Sequence, residues 1–163
     1  MFVDVRFDVP LTFMCTEVSM KTIALVSLLA LAAQPLAAQK REAIVPAGQQ
    51  ASATLTPGIR VGNIVYASGQ LGTRRENPDT TVGGQTKIAL ENTKKVFEAA
   101  GTTMAQAIKC TVFLIDVKDF GAMNQAYREF FPTIPPARST VVVAALVVSN
   151  AKVEIECMAA MPS

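Results

Sequence analysis

Residues 108–116 read Ile-Lys-Cys-Thr-Val-Phe-Leu-Ile-Asp, and they constrain the architecture more than any other part of the chain. Most of these residues are β-branched or aromatic, which predicts a β-strand. From Val112 to Ile115 every residue is apolar, so both faces of the strand are apolar. Such a strand has to be buried on both faces of its sheet. Residues 140–148 show the same pattern, which strengthens this expectation.

The elements on the N-terminal side of this strand are a strand, a loop and a helix. Residues 63–68 favour a strand, and residues 74–84 are polar and rich in glycine, which indicates a loop. Apolar and small residues recur at helical spacing over residues 85–100, and Gly101 follows as a C-cap. The strand at 108–116 is therefore preceded by a helix.

A second helix and two strands are predicted on the C-terminal side. Asp119 is the expected N-cap of the helix and Pro132 ends it. The apolar stripe of this helix consists of Phe120, Met123, Tyr127 and Phe130. Residues 139–148 and 152–160 predict strands, joined as a hairpin by residues 149–151.

The order of elements indicates a single α/β (α+β) domain that needs a partner. Two helices can cover only one face of a sheet, and the chain offers nothing else to cover the other. Another subunit is therefore expected to cover it, which predicts an obligate homo-oligomer.

Composition excludes several classes of function. The chain has 163 residues, a net charge of +2 and scattered basic residues, so no nucleic-acid surface is expected. It has no histidine, which excludes Ser-His-Asp and Cys-His catalysis and histidine-ligated metal sites. Its cysteines, Cys15, Cys110 and Cys157, form neither a Cys-x-x-Cys motif nor a disulfide framework. Cys110 and Cys157 are interpreted as inert core thiols.

The N-terminal region indicates export. A basic start, an apolar run over residues 23–33 and a small-residue exit make residues 20–38 a predicted secretory signal, with cleavage after Ala38. The apolar run is too short to span a membrane. Residues 1–19 carry charges that do not suit a signal, and we interpret them as a spurious extension. The mature domain, residues 39–163, is expected to be periplasmic or secreted and free of the membrane.

Arg138 is the strongest candidate for chemistry. It lies between prolines and a run of valines, where a guanidinium is costly unless an anion meets it. Glu154, in the expected partner strand, and the polar residues Ser68 and Gly69 could complete a site. The alternative from composition alone is that Arg138 and Glu154 form an ion pair between subunits.

Several motifs, in one order along residues 42–160, resemble the RidA/YjgF family. They are Ala67-Ser-Gly-Gln, Glu91-Asn-Thr-Lys-Lys-Val-Phe-Glu-Ala-Ala-Gly, Thr111-Val-Phe-Leu, Met123-Asn-Gln-Ala-Tyr-Arg-Glu-Phe-Phe, Pro136-Ala-Arg-Ser-Thr-Val and Val153-Glu-Ile-Glu-Cys-Met-Ala. The resemblance implies a chorismate mutase-like mixed sheet of six strands with two helices on one face, assembled as a homotrimer. It also implies hydrolysis of enamine and imine acids such as 2-aminoacrylate to 2-keto acids and ammonia, without a cofactor or metal.

The resemblance assigns roles to individual residues. Arg138 would hold the substrate carboxylate, and Glu154 would orient the attacking water. Thr140 would lie near the reacting nitrogen. The residues expected to line the cleft are Ser68, Gly69, Leu55, Asn124 and Phe131.

Two positions depart from the family pattern, and other functions remain open. Leu55 stands where a tyrosine is common, and Thr140 where many members have a cysteine. The alternative function is a non-catalytic protein of the same fold that binds small carboxylates or acts as a holdase. A third hypothesis, an endoribonuclease, is disfavoured by the weak charge and the few aromatic residues.

Overall fold

A computed structural model of the chain describes residues 39–73 and 79–162. The predicted extension, residues 1–19, and the predicted signal, residues 20–38, lie outside the described residues. Residues 39–163 form one compact unit. In the part of the chain that is described, no helix combines the length and the apolar character needed to cross a membrane.

The described residues contain seven strands and two α-helices, in the predicted order of strands, helix, strand, helix and two strands. The elements are β1 (Arg41–Ile44), β2 (Gly58–Val61), β3 (Ile64–Ala67), β4 (Gln70–Leu71), α1 (Val82–Ala99), β5 (Ala107–Leu114), α2 (Phe120–Arg128), β6 (Ala137–Val142) and β7 (Val153–Ala160). Two short 3-10 turns, Met104–Gln106 and Val117–Asp119, precede β5 and α2.

All seven strands form one mixed sheet in the order β1-β2-β3-β7-β5-β6, and β4 also pairs with β7 beyond the end of β3. Every pairing is antiparallel except that of β5 with β6. The mixed sheet with two helices is confirmed. The seventh strand relative to the expected six is β4, which has only two residues.

The predicted C-terminal hairpin is wrong. β5 lies between β6 and β7, so these two strands are not neighbours. The chain passes from β5 through α2 to β6, and such a crossover joins parallel strands. β6 ends at Val142, and residues 143–152 form no strand although many are apolar; Val147 is 92% exposed. Apolar residues alone therefore do not extend β6, because its partner β5 ends at Leu114, opposite Val142.

α1 begins three residues before the predicted start because Thr81 caps it. The Thr81 hydroxyl accepts a hydrogen bond from the backbone N–H of Gly84 at 3.1 Å. Asp79 supports this cap by accepting from the Thr81 N–H and hydroxyl, each at 2.7 Å, and these bonds lower the pKa of Asp79. Gly101, directly after the C-cap residue Ala100, takes the left-handed conformation with φ of 84°, as expected of a glycine that ends a helix.

α2 starts differently from the prediction. Asp119 is at the predicted N-cap position, but its side chain makes no capping hydrogen bond. Asp116 caps the preceding 3-10 turn instead, accepting from the N–H of Lys118 at 2.9 Å. Asp119 lies 4.0 Å from the ammonium group of Lys152. The spacing of residues in the sequence does not distinguish an aspartate that caps a short 3-10 turn from one that caps an α-helix.

The core lies between the helices and one face of the sheet. In β7 the residues Val153, Ile155, Cys157 and Ala159 are buried, alternating with more exposed neighbours. The opposite face has no helix over it, and its side chains stay partly open; Tyr66 is 46% and Val141 44% exposed. This open face, which carries polar side chains such as Lys109 and Glu156 beside its apolar ones, is the surface that the predicted second subunit would cover.

Cys110 and Cys157 form a disulfide, so the interpretation as inert thiols is wrong. They face each other directly in the β5–β7 ladder, and their sulfur atoms are 2.02 Å apart. Both are buried and 47 residues apart in the chain. Sequence spacing does not reveal the pair, because only the strand register shows which cysteines lie opposite each other.

We expect replacement of both cysteines by alanine to lower the free energy of unfolding by about 4 kcal/mol, the entropy of closing a loop of this length. Urea unfolding of oxidised wild type, reduced wild type and the double variant measures it. Reduction should destabilise the wild type and leave the variant unchanged. Two free thiols in the unfolded, unreduced wild type would contradict the bond.

Candidate functional site

Arg138 is held against the aromatic rings of α2. It lies opposite Cys110 in the parallel β5–β6 pairing, so its side chain is on the face of the sheet that the helices cover. Its Cζ atom is 4.7 Å from the ring centre of Tyr127 and 5.9 Å from that of Phe120. Cation–π contacts of this kind stabilise a guanidinium without neutralising its charge. Among the described residues, no carboxylate forms an ion pair with Arg138.

A cleft of about 370 Å³ opens at this guanidinium. Asn124 and Phe131, both predicted as cleft walls, line it together with Arg138. The residues that complete the lining are Tyr127, Arg128, Pro135 and Pro136. The structure therefore brings three of the predicted site residues into one cleft of the size that a small organic acid needs.

Two hydroxyl groups beside Arg138 are buried without a hydrogen-bond partner among the described residues: those of Tyr127 and Thr140. Thr140 lies two residues after Arg138 on the same face of β6, opposite Val112. Burial raises the pKa of Tyr127 to about 12, and the positive charge of Arg138 opposes this rise. The phenol is therefore neutral and keeps its proton at ordinary pH.

Tyr127 was missed as a site residue by the sequence analysis, which assigned it to the core stripe of α2. That assignment is also correct, since Tyr127 is only 4% exposed. A tyrosine in the apolar stripe of a helix, followed by a solitary arginine in the next strand, is a weak signal for the contact between Tyr127 and Arg138. The spacing of residues along the sequence does not give the distance between α2 and β6.

A second group of predicted residues gathers where β3 ends. The Ser68 hydroxyl donates to the carbonyl oxygen of Thr56 at 2.6 Å, which ties Ser68 to the segment that follows Leu55. A Cβ atom added at Gly69 would overlap the carboxylate of Glu154, so this carboxylate lies directly on the Gly69 backbone. Leu55, which precedes Thr56 in the chain, is 56% exposed. Ser68, Gly69, Leu55 and Glu154 thus belong to one region.

The two groups do not meet within one copy of the chain. Arg138 is opposite Cys110, whereas Glu154 is opposite Phe113, and these two residues of β5 point to opposite faces of the sheet. β5 also separates the strands that carry them. The expected placement of Glu154 in the strand next to Arg138 is therefore wrong. Glu154 is accordingly not among the residues that line the cleft at Arg138.

A larger cleft, of about 660 Å³, lies between the start of α1 and α2. Its charges are already engaged: Lys87 pairs with Glu129 at 2.9 Å, Lys152 with Asp119 at 4.0 Å, and Asp79 bonds to the cap of α1. It therefore lacks an unpaired charge to attract a ligand. Among the described residues no three cysteine, aspartate or glutamate side chains lie together as metal ligands would.

The sheet and the two helices that carry these residues define the class of fold. A mixed sheet with two helices on one face is the YjgF/chorismate mutase-like fold, and solved structures of that type match the chain. The chain belongs to the RidA/YjgF family, because the family model described as Endoribonuclease L-PSP matches residues 46–161.

Named relatives agree with this assignment. The 2-iminobutanoate/2-iminopropanoate deaminase of Dermatophagoides farinae is 38% identical over 120 residues, 72% of this chain and 93% of that protein. Reactive Intermediate Deaminase A of Arabidopsis thaliana, a chloroplastic protein, is 39% identical over 119 residues, 69% of this chain and 63% of that protein. The crystal structure of the YjgF gene product of E. coli has a TM-score of 0.65 and 33% identity, covering 74% of this chain and 96% of that one.

Replacing Tyr127 by phenylalanine tests the buried phenol. The folded-state pKa of Tyr127 lies above the usual value near 10, so its contribution to stability is complete below about pH 10 and is lost as the pH rises through about 12. Thermal midpoints from pH 8 to 12 should therefore fall less in Tyr127→Phe than in wild type. Tyr66→Phe, at a half-exposed position, is the control and should follow wild type. Equal alkaline losses in Tyr127→Phe and wild type would contradict the burial of this phenol.

Proposed function

We propose that the protein hydrolyses small enamine and imine acids, such as 2-aminoacrylate, to 2-keto acids and ammonia. The observation that carries this proposal is Arg138, a guanidinium held by aromatic rings at a small cleft without an anion among the described residues. A guanidinium in this state binds a planar carboxylate with two parallel hydrogen bonds. The name of the Dermatophagoides farinae relative, a 2-iminobutanoate/2-iminopropanoate deaminase, supports the same substrate class.

The chemistry needs little machinery. The enamine first takes up a proton at its terminal carbon and becomes the imine, whose carbon is already electrophilic. Water adds to this carbon, and the resulting carbinolamine releases ammonia and leaves the keto acid. The protein has only to hold the acid and place the water, which general base catalysis and positioning can supply. No cofactor is required.

Glu154 is the residue proposed to place the water. Its carboxylate lies on the Gly69 backbone, where no side chain intervenes. The Ser68 hydroxyl donates its hydrogen bond to the carbonyl oxygen of Thr56, so its oxygen remains available as an acceptor. Thr140 has an unpartnered hydroxyl near Arg138 and is proposed to contact the reacting nitrogen.

We propose that the complete site forms between two subunits of a homotrimer. Arg138 and Glu154 lie on opposite faces of one sheet, so one subunit supplies only half of the groups. The open face of the sheet, with Tyr66 and Val141 partly exposed, is available for the contact. Asn124 and Phe131 would form the wall on the side of Arg138, and Leu55 the wall on the side of Glu154.

Leu55 and Thr140 favour one alternative. An exposed leucine offers no hydroxyl to the reaction where the family pattern has a tyrosine. A protein with the carboxylate-binding arginine but without efficient water activation would bind small carboxylates and not turn them over. The E. coli TdcF structure with bound serine supports small-acid binding in a relative that is 32% identical.

Export to the periplasm or the exterior also belongs to the proposal. The disulfide between Cys110 and Cys157 supports it, because buried disulfides persist in oxidising compartments and are rare in reducing ones. The intact mass of the protein recovered from the periplasm or medium should correspond to a chain starting at Gln39. A protein found only in the cytosol with its full N-terminus would end this aspect of the proposal.

The deaminase assay tests the reaction. Freshly generated 2-aminoacrylate should release pyruvate and ammonia faster with wild type than spontaneously. Arg138→Ala should lower kcat/KM by about 100-fold because the substrate carboxylate loses its charged hydrogen-bond partner. Glu154→Gln should lower kcat while KM changes little, because it affects the water and leaves the substrate contacts in place.

Arg60→Ala is the matched control for charge removal. Arg60 is a partly buried arginine of β2 that donates to the carbonyl oxygen of Gly62 at 3.1 Å, away from both groups. Its activity should equal that of wild type. Unchanged turnover in Arg138→Ala would refute the assigned role. Arg138-dependent thermal stabilisation by pyruvate without turnover would favour the binding protein.

A further inference from the structure

Gln85 is a buried polar residue whose side chain joins α1 to two stretches of backbone, at Asp79 and at residues 150–152. Its side chain, 1% exposed, lies in the first turn of α1. The amide nitrogen donates to the carbonyl oxygens of Asp79 at 2.8 Å and Asn150 at 2.9 Å. The amide oxygen accepts from the N–H of Lys152 at 2.7 Å. All three partners are backbone groups, so these bonds do not depend on which side chains surround Gln85.

The segment that Gln85 holds leads directly into the strand of Glu154. β7 begins at Val153, one residue after Lys152. Before it, residues 143–150 form no strand and are largely exposed. β5 holds the start of β7 from one side, since the Lys152 carbonyl oxygen accepts from the N–H of Ile115 at 3.3 Å, and Gln85 adds the link to α1. Gln85 is thus an anchor between α1 and the point where β7 begins.

The same helical turn also holds the strand that faces Glu154. A Cβ atom at Gly72 would overlap the backbone of Gln85, so the chain that leaves β4 packs directly on α1. In the ladder, Leu71 of β4 is opposite Glu154. The residue after β4 and the residues before β7 therefore both contact Gln85, the first at its backbone and the others at its side chain.

We propose that Gln85 is a positioning residue for the reaction, whose side chain sets the place of the Glu154 carboxylate through the start of β7. This inference rests on the proposed role of Glu154. The amide is suited to the task because it has two donors for two carbonyl groups and an acceptor for one N–H. No other side chain of similar size matches this set, since a glutamate lacks the donors and a methionine lacks both.

Two substitutions test the assignment through the kinetic constants. In Gln85→Met the three backbone groups lose their partner, and kcat for 2-aminoacrylate hydrolysis should fall by about tenfold or more as Glu154 shifts. KM should stay within about twofold, because Arg138, on the face of the sheet opposite to Glu154, still binds the acid.

Gln85→Glu adds a pH signature. Only its protonated carboxyl can donate to a carbonyl oxygen, so its kcat relative to wild type should be higher at acid pH and fall as the carboxyl ionises. We expect kcat to decrease in the order wild type, Gln85→Glu, Gln85→Met. A loss of stability alone does not produce this order together with the pH dependence of Gln85→Glu.

Thr93→Val is the matched control. Thr93 is another fully buried polar residue of α1, but its hydroxyl donates only to the carbonyl oxygen of Ala89 at 3.0 Å within the helix. It should change stability without changing kcat. An unchanged kcat in Gln85→Met, or an equal fall in Thr93→Val, would overturn the proposal.

Amide hydrogen exchange separates this inference from the proposed function. In Gln85→Met, exchange should accelerate over residues 150–156, whereas in Thr93→Val it should not. If wild type shows no turnover, the deaminase proposal fails and the exchange result alone decides whether Gln85 fixes this strand. Equal protection in Gln85→Met and wild type would reject the anchor.

Discussion

The pairing of β5 with β6 on one side and with β7 on the other determines where each functional side chain lies. It places Arg138 over the face covered by α2 and Glu154 on the open face. The separation is fixed by backbone hydrogen bonds and by the alternation of side chains along a strand. Neither residue can reach the other without a change in register, and such a change would move the whole buried set of β5 to the wrong face.

An unneutralised charge and an uncovered surface follow from this arrangement. Arg138 has aromatic contacts with Tyr127 and Phe120, which stabilise the cation and leave it available to an anion. The open face retains partly exposed apolar residues that another copy could bury. The proposed assembly would address both features, by burying these apolar residues and by supplying the second half of the site. The disulfide holds β5 and β7 together beneath this arrangement.

Much of the architecture could be predicted from the sequence, because local patterns carry it. The order of elements, the cap at Gly101 and the strand at residues 107–114 follow from turn chemistry and periodicity. The position of β6 does not, since residues 143–148 are as apolar as a strand and only the absence of a pairing partner ends β6 at Val142. Parallel or antiparallel pairing is likewise a property of the topology.

The sequence predicts which residues belong to the candidate site, but it does not predict how they are arranged in space. Arg138, Asn124 and Phe131 meet as the family resemblance implies, whereas Glu154 lies on the other face. The disulfide and the role of Gln85 depend on which backbone segments come together in three dimensions. These are long-range contacts, and a single sequence contains no periodic signal for them.

Subunit complementation tests most directly the claim that two copies build one site. Inactive Arg138→Ala and inactive Glu154→Ala proteins are unfolded together, refolded as a mixture and assayed. If each site takes Arg138 from one subunit and Glu154 from another, random assembly at equal amounts restores about one quarter of wild-type activity. Each variant refolded alone should stay inactive. No recovery in a mixture shown to contain mixed oligomers would contradict the shared site.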